Sequence, residues 1–194
     1  MKNIIVVLIL GVVLLANASF GFQDSASSEI DLKTINNYID DSPNDPNLYF
    51  VKGQILLNKN RTRKAKQLFE KVIDMYPKYD EAYYELAKVD YRLNDFESAG
   101  KNIDKYLIKN LDDVSAWYIK GEILMAKGEY EQVLVLADQI LKIENENGKG
   151  HLLMGEANFE LGEYDTAYEN WRISMNLGEV KAAVHLKYLF EPVW

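Results

Sequence analysis

Gly53, Ala87, Gly121 and Gly155 stand at successive intervals of 34 residues, and that interval narrows the folds open to this chain more than any other feature. Twelve residues further on, Ala65, Ala99, Val133 and Ala167 keep the same spacing, and Asn60, Asn94, Gly128 and Gly162 keep it between them. Tyr49, Tyr83, Trp117 and His151 precede the small residues by four. A fixed period of this length marks an array in which one supersecondary unit is stacked on copies of itself.

The residue types explain the unit. On both sides of the Asn/Gly position apolar residues recur at helical spacing, as in Tyr130, Val133, Ala137 and Ile140. Asn and Gly best tolerate the left-handed conformation that ends a helix, so the first helix is predicted to stop there. Gly53 and its counterparts are expected on the face pressed against the second helix, where missing bulk lets two backbones approach. Ala65 and its counterparts answer from the other side, and Tyr49, Trp117, Phe69 and Trp171 fill the wider gaps. One helical hairpin cannot bury both of its faces, so hairpins must stack.

A 34-residue helix-turn-helix unit with an aromatic, a Gly or Ala four residues on, a Gly/Asn turn and then Ala resembles the tetratricopeptide repeat. AWYIKGEILMAKGEYEQVLVLADQILKIE (116–144) and HLLMGEANFELGEYDTAYENWRISMNLG (151–178) carry the likeness most fully. The resemblance implies an all-α fold, a right-handed α-solenoid of about four repeats at 46–79, 80–113, 114–147 and 148–178. The family's closing Pro stands at Pro77 but is replaced by Leu111 and Asn145, and Thr62 stands where the other units have Phe96, Tyr130 and Tyr164. Pro43, Ile35 and Tyr38 lie 34 residues before Pro77, Phe69 and Val72, so 29–45 reads as an N-terminal capping helix left over from a further unit. A C-terminal capping helix and tail are expected over 179–194, in register with a next unit, although Leu189 falls where a small residue belongs.

The start of the chain has a different character. Met1-Lys2-Asn3 is followed by an apolar run from Ile4 to Leu15 and by Ala16-Asn17-Ala18. This is the form of a secretory signal peptide over 1–18, cleaved after Ala18, with a polar leader over 19–28. An uncleaved anchor is the rival reading, since no charge occurs from Ile4 to Phe22 and about 20 residues span a bilayer. Either reading places the repeats outside the cytoplasm, periplasmic or secreted in the first case and anchored facing outward in the second.

Composition removes several functions. Acidic residues exceed basic ones by 30 to 22, a formal charge of -8, which repels phosphate backbones and argues against nucleic acid as a partner. Cysteine is absent and only two histidines occur, so disulfides and thiolate metal sites are excluded. His151 and His185 are 34 apart, but no ligand-spaced motif accompanies them, and packing in helix seams is the favoured reading. Glu129, Glu131, Glu163 and Asp165 sit at predicted helix starts, where negative charge meets the positive helix end. The basic run Arg61-Thr62-Arg63-Lys64-Ala65-Lys66 reads as a solvated face. No catalytic constellation, cofactor, metal or small-molecule substrate is expected.

In the family that the chain resembles, the first helices line a concave groove. Helical stepping from the packed seam gives one stripe of Phe50, Tyr84, Tyr118 and Leu152 and a second of Leu57, Tyr91, Met125 and Phe159. Gln54, Lys88, Glu122 and Glu156 lie between them, with Asn58, Arg92 and Glu160 alongside. The groove is expected to be basic near Lys88 and Arg92 and acidic near Glu122, Glu156 and Glu160. The function implied is a non-catalytic protein-protein interaction module of the cell envelope that takes a protein or peptide ligand. The alternative is a fixed accessory subunit of an envelope assembly or secretion machine.

Overall fold

The computed structural model describes residues 31–189. The proposed signal segment, the leader and the five residues after Leu189 lie outside them. The described residues form ten α-helices and no strand: α1 Leu32–Asp41, α2 Pro46–Asn58, α3 Thr62–Met75, α4 Asp80–Arg92, α5 Phe96–Leu107, α6 Val114–Lys127, α7 Tyr130–Ile143, α8 Gly148–Glu160, α9 Tyr164–Asn176 and α10 Val180–Leu189. First helices start at 46, 80, 114 and 148, and second helices at 62, 96, 130 and 164. Both series keep the 34-residue interval without slippage.

Local chemistry sets these limits. Asp45, Asp113 and Asn147, each one residue before a first helix, accept from the backbone N–H of Asn47, Ala116 and Gly150, satisfying donors that a helix start leaves orphaned. Pro46 occupies the first position of α2, where its missing N–H costs nothing. At the turns inside the hairpins Asn60, Asn94, Gly128 and Gly162 all have positive φ, from 56° to 84°. These are the left-handed positions that the Asn/Gly recurrence predicts.

Each helix packs on its sequence neighbours, and the first helices α4, α6 and α8 also touch across repeats. Ala65, Ala99, Val133 and Ala167 are fully buried. The apolar interior is a series of clusters along the array, each shared between adjacent hairpins, as a solenoid requires.

The small position works differently from the backbone approach expected of it. A Cβ on Gly53 would lie 2.6 Å from Phe69 Cε1, and one on Gly155 would meet the Trp171 indole. The missing side chain is space for a large ring on the second helix. In the third repeat the second helix offers only Ala137, and the gap at Gly121 is filled instead by Leu136 and by Leu153 of the next repeat.

The aromatics before the small position also do more than fill gaps. The hydroxyls of Tyr49 and Tyr83 donate to the carbonyls of Pro43 and Pro77, and the Trp117 indole N–H donates to that of Leu111, at 2.7–3.1 Å. Each ties down the loop six residues behind it, whether or not that loop holds Pro. His151, the fourth of the set, bonds Asn170 Oδ1 at 3.0 Å instead.

Two further differences bear on the site. In the basic run Arg61, Arg63 and Lys64 are exposed, but Lys66 is not a solvated charge. Its Nζ lies 2.6 Å from Oδ1 of Asp90 on α4, a carboxylate only 1 % exposed that also accepts from Asn102 Nδ2. This ion pair joins the first two repeats, and its bond to Asp90 holds the ammonium charged against the cost of burial. At the other end α10 starts at Val180, two residues earlier than the 34-residue register from Gly148 demands. Gly178, with φ of 97°, makes the shortened turn.

Candidate functional site

Three first helices running side by side present a strip of aromatic and charged side chains, and at its C-terminal end the strip deepens into a cavity of about 370 Å³. Tyr91 reaches it from α4, Glu122, Met125 and Ala126 from α6, and Glu156, Phe159 and Glu160 from α8. Trp171 of α9 lies at its back, and Lys181, His185 and Leu189 of α10 close one side.

Helix geometry places these groups. Glu122 and Met125 are one turn apart on α6, and Glu156 and Phe159 repeat that spacing on α8, so each helix offers a carboxylate and an apolar side chain to the same space. Phe159 is fixed between the rings of Tyr164 and Trp171, with centroids at 5.3 and 5.4 Å, and Tyr91 packs on Phe96 at 5.7 Å. His185 stacks flat on Trp171 at 4.5 Å.

The electrostatics are uneven. Glu156 is 8 % exposed, and its Oε1 meets Lys181 Nζ at 2.7 Å and His185 Nε2 at 3.1 Å. Burial opposes the Lys181 charge, but the bond to Glu156 and the charges of Glu156 and Glu122 outweigh it and raise the amine's pKa. Glu122 accepts from the Tyr118 hydroxyl at 3.3 Å. Burial pushes its carboxyl above the ordinary glutamate value, while Lys181 and the Tyr118 bond offset part of the rise. Burial, with Glu122 and Glu156 nearby, raises the Tyr118 hydroxyl in turn. Among the described residues no three His, Asp or Glu side chains stand close enough together to hold a metal ion.

Of the thirteen residues assigned to the groove, the cavity gathers Tyr91, Glu122, Met125, Glu156 and Phe159. Gln54, Leu57, Tyr84, Lys88, Arg92 and Tyr118 are outside its lining. Phe50 and Leu152 do not belong to the groove surface. Phe50 is buried between the rings of Phe69 and Tyr79, at 5.5 and 5.1 Å, and Leu152 is 1 % exposed in a cluster with Trp171, Ala182 and Leu186. Phe50 is covered by the second helix and the end of its own repeat, in a cluster that extends to Ala82 and Leu86 of the next, and Leu152 by the capping helix, none of which local spacing reveals. The expected basic end is also weaker than its sequence: Lys88 donates to both carboxylate oxygens of Glu85 at 3.0 Å, leaving Arg92 as the exposed cation there. Tyr84 is wedged against Tyr106 at 5.0 Å, and burial lifts its hydroxyl to about 12.

The contributions of Lys181, His185 and Leu189 escaped the sequence reading, which gave α10 only a capping role. The available signal was the basic and aromatic content of that helix opposite an acidic stripe. The histidines are packed side chains, as expected, although His185 also faces the cavity.

Comparison with known proteins agrees with this architecture. The family model for the tetratricopeptide repeat matches residues 56–123. The DnaJ protein P58IPK homolog A of Oryza sativa subsp. japonica is 23% identical over 159 residues, covering 75% of this chain and 33% of that protein. The chain thus spans about a third of the length of that curated relative. Among solved structures, YrrB, a TPR protein with an unusual peptide-binding site, superposes with a TM-score of 0.72 at 18% identity, over 81% of this chain and 82% of that one. MamA from Desulfovibrio magneticus RS-1 gives 0.71 at 21% identity, over 75% and 82%. At these identities the likeness is one of fold.

Proposed function

Because the chain is a tetratricopeptide-repeat protein, we propose that it is a non-catalytic interaction module that holds a peptide or helix of another protein in its concave groove. The observation that carries this reading is the strip on the first helices. Half-buried rings at Tyr84, Tyr91, Tyr118 and Phe159 alternate there with charged groups and lead into an open cavity. Aromatic side chains give large contact area with few rotatable bonds, which suits them as anchors. The charges set orientation and association rate. The form of 1–18 supports work in the cell envelope, with the repeats outside the cytoplasm.

A photoreactive residue at Tyr91, with a second at Val135 on the outer face of α7 (73 % exposed), tests the surface in living cells. The expected result is one protein captured from Tyr91 and not from Val135. The same protein captured from Val135 alone removes the groove from the proposal. Export is checked by a C-terminal tag, with the exported product about two kilodaltons shorter if cleavage follows Ala18. Full-length protein released only by detergent supports the anchor instead.

One observation favours the second reading, a fixed subunit of an envelope assembly. The outer face of α10 exposes Val180, Val184 and Tyr188, two of them more than two-thirds exposed, an apolar stripe that suits a permanent interface. Capture from Val184 with none from Tyr91 would favour it.

A further inference from the structure

The cavity at the C-terminal end of the groove has a composition that the peptide-groove reading does not require. It has room for one long side chain, about 370 Å³. Its apolar walls are Tyr91, Met125 and Phe159, and its polar groups are mostly carboxylates. Glu156 is already matched by Lys181 and His185 on one oxygen. Glu122 stands opposite on α6 with a hydroxyl from Tyr118 as its bond, and Glu160 borders the same space. Among the lining side chains three carboxylates stand with the ammonium of Lys181 and the imidazole of His185, and Lys149 acts on Glu122 from outside the lining, so carboxylates outnumber ammonium groups three to two around a partly desolvated recess.

We propose that this cavity is a subsite for one basic side chain of the bound partner, its cationic head drawn to Glu122 and Glu160 and its stem laid between Tyr91, Met125 and Phe159. The inference rests on the groove reading and deepens it, because it names the residue type that the groove selects. Flat aromatic faces favour a cation lying over them, and an arginine presents a planar fork of donors to carboxylates. Lys181 is a precedent within the chain. Its ammonium sits in the same recess and is kept charged there by its bond to Glu156 and by the charges of Glu156 and Glu122. An anionic or purely apolar anchor would meet a half-buried carboxylate without relieving it.

The test titrates 15N-labelled full-length protein with acetyl-Leu-Arg-Leu-amide and with the same tripeptide carrying citrulline, a neutral isostere of arginine. The reporters are the Trp171 indole N–H and the backbone amides of Glu122, Phe159 and Lys181. The expected result is saturable shifts at these positions with the arginine peptide and at least tenfold weaker binding of the citrulline peptide. Glu122→Gln, which keeps an oxygen for the Tyr118 hydroxyl, should weaken the arginine peptide severalfold while the rest of the amide spectrum is unchanged. Equal affinity for the two peptides, or no saturable shift at the cavity, overturns the subsite. If shifts appear only around Gln54, Tyr84 and Lys88, the subsite fails and the groove reading survives. The failure of the groove itself is read separately, from cross-linking at Tyr91.

Discussion

Glu122 is a carboxylate kept where burial disfavours its charge, and such a residue leaves a signature in stability. For an acid whose pKa is raised on folding, the ionised form is disfavoured in the native state. It therefore costs stability above the folded-state pKa, and the cost vanishes as pH falls through that value and below the ordinary glutamate range. The groups that face it are Lys181 and Lys149, which favour its charge, and Glu156, which opposes it. Glu122→Gln should accordingly raise the melting temperature at pH 7 and leave it nearly unchanged near pH 4. A fall at pH 7 would mean that Glu122 is a net structural ion. Lys66 is the opposite case, a cation whose partner Asp90 is buried beneath it. Lys66→Ala strands that carboxylate with Asn102 alone and should cost on the order of 3 kcal/mol in a denaturant titration. A loss below about 1 kcal/mol would show that water replaces the ammonium.

Among the elements, the hairpins respond to bulk according to what occupies the small position. A Cβ at Gly121 would collide with Leu153, a side chain with no exposed surface and hence no route of retreat. Gly121→Leu should cost about 1–3 kcal/mol or more through overpacking, read as a lowered denaturation midpoint. Gly100 in α5 is the control, with Ile123 Cγ2 at 4.0 Å as the nearest atom. Gly100→Ala should stabilise by about 0.5–1 kcal/mol, because the helix gains propensity and loses no room. The left-handed Asn and Gly turns and the small positions at Gly53 and Gly155 were legible in the sequence because each is demanded by geometry inside one hairpin, whereas the space at Gly121 is filled mainly from the next repeat. That is why the interval gave the helix starts. The fates of Phe50 and Leu152 were not legible, since Tyr79 at the far end of its own repeat closes over Phe50, in a cluster shared with Ala82 and Leu86 of the next, and Leu186 of the capping helix covers Leu152. The cavity's far wall was hidden for a related reason. The shortened turn at Gly178 brings α10 forward by two residues, and only in space do Lys181 and His185 reach Glu156.

A stack in which each helix touches its neighbours in sequence has little means of sharing stability between distant repeats. The C-terminal helix is then both the cap of the array and a wall of the cavity, and the two roles can be separated by ending the chain after Gly178. Without α10 the cluster of Leu152, Ala167 and Trp171 loses the cover of Ala182 and Leu186, and Glu156 loses its contacts with Lys181 and His185. Burial of one leucine alone is worth about 1.5–3 kcal/mol, so amides in α8 and α9 should exchange with solvent roughly ten- to a hundredfold faster or more. Amides in α2, α3 and α4 are far enough away to keep their protection within a few-fold, and the Lys66–Asp90 pair should hold that end together. Loss of protection spread evenly from α2 to α9 would mean that the repeats unfold as one unit. The groove would then have to be treated as a single rigid surface, and the independence of its two ends, which a side-chain subsite at one of them assumes, would be lost.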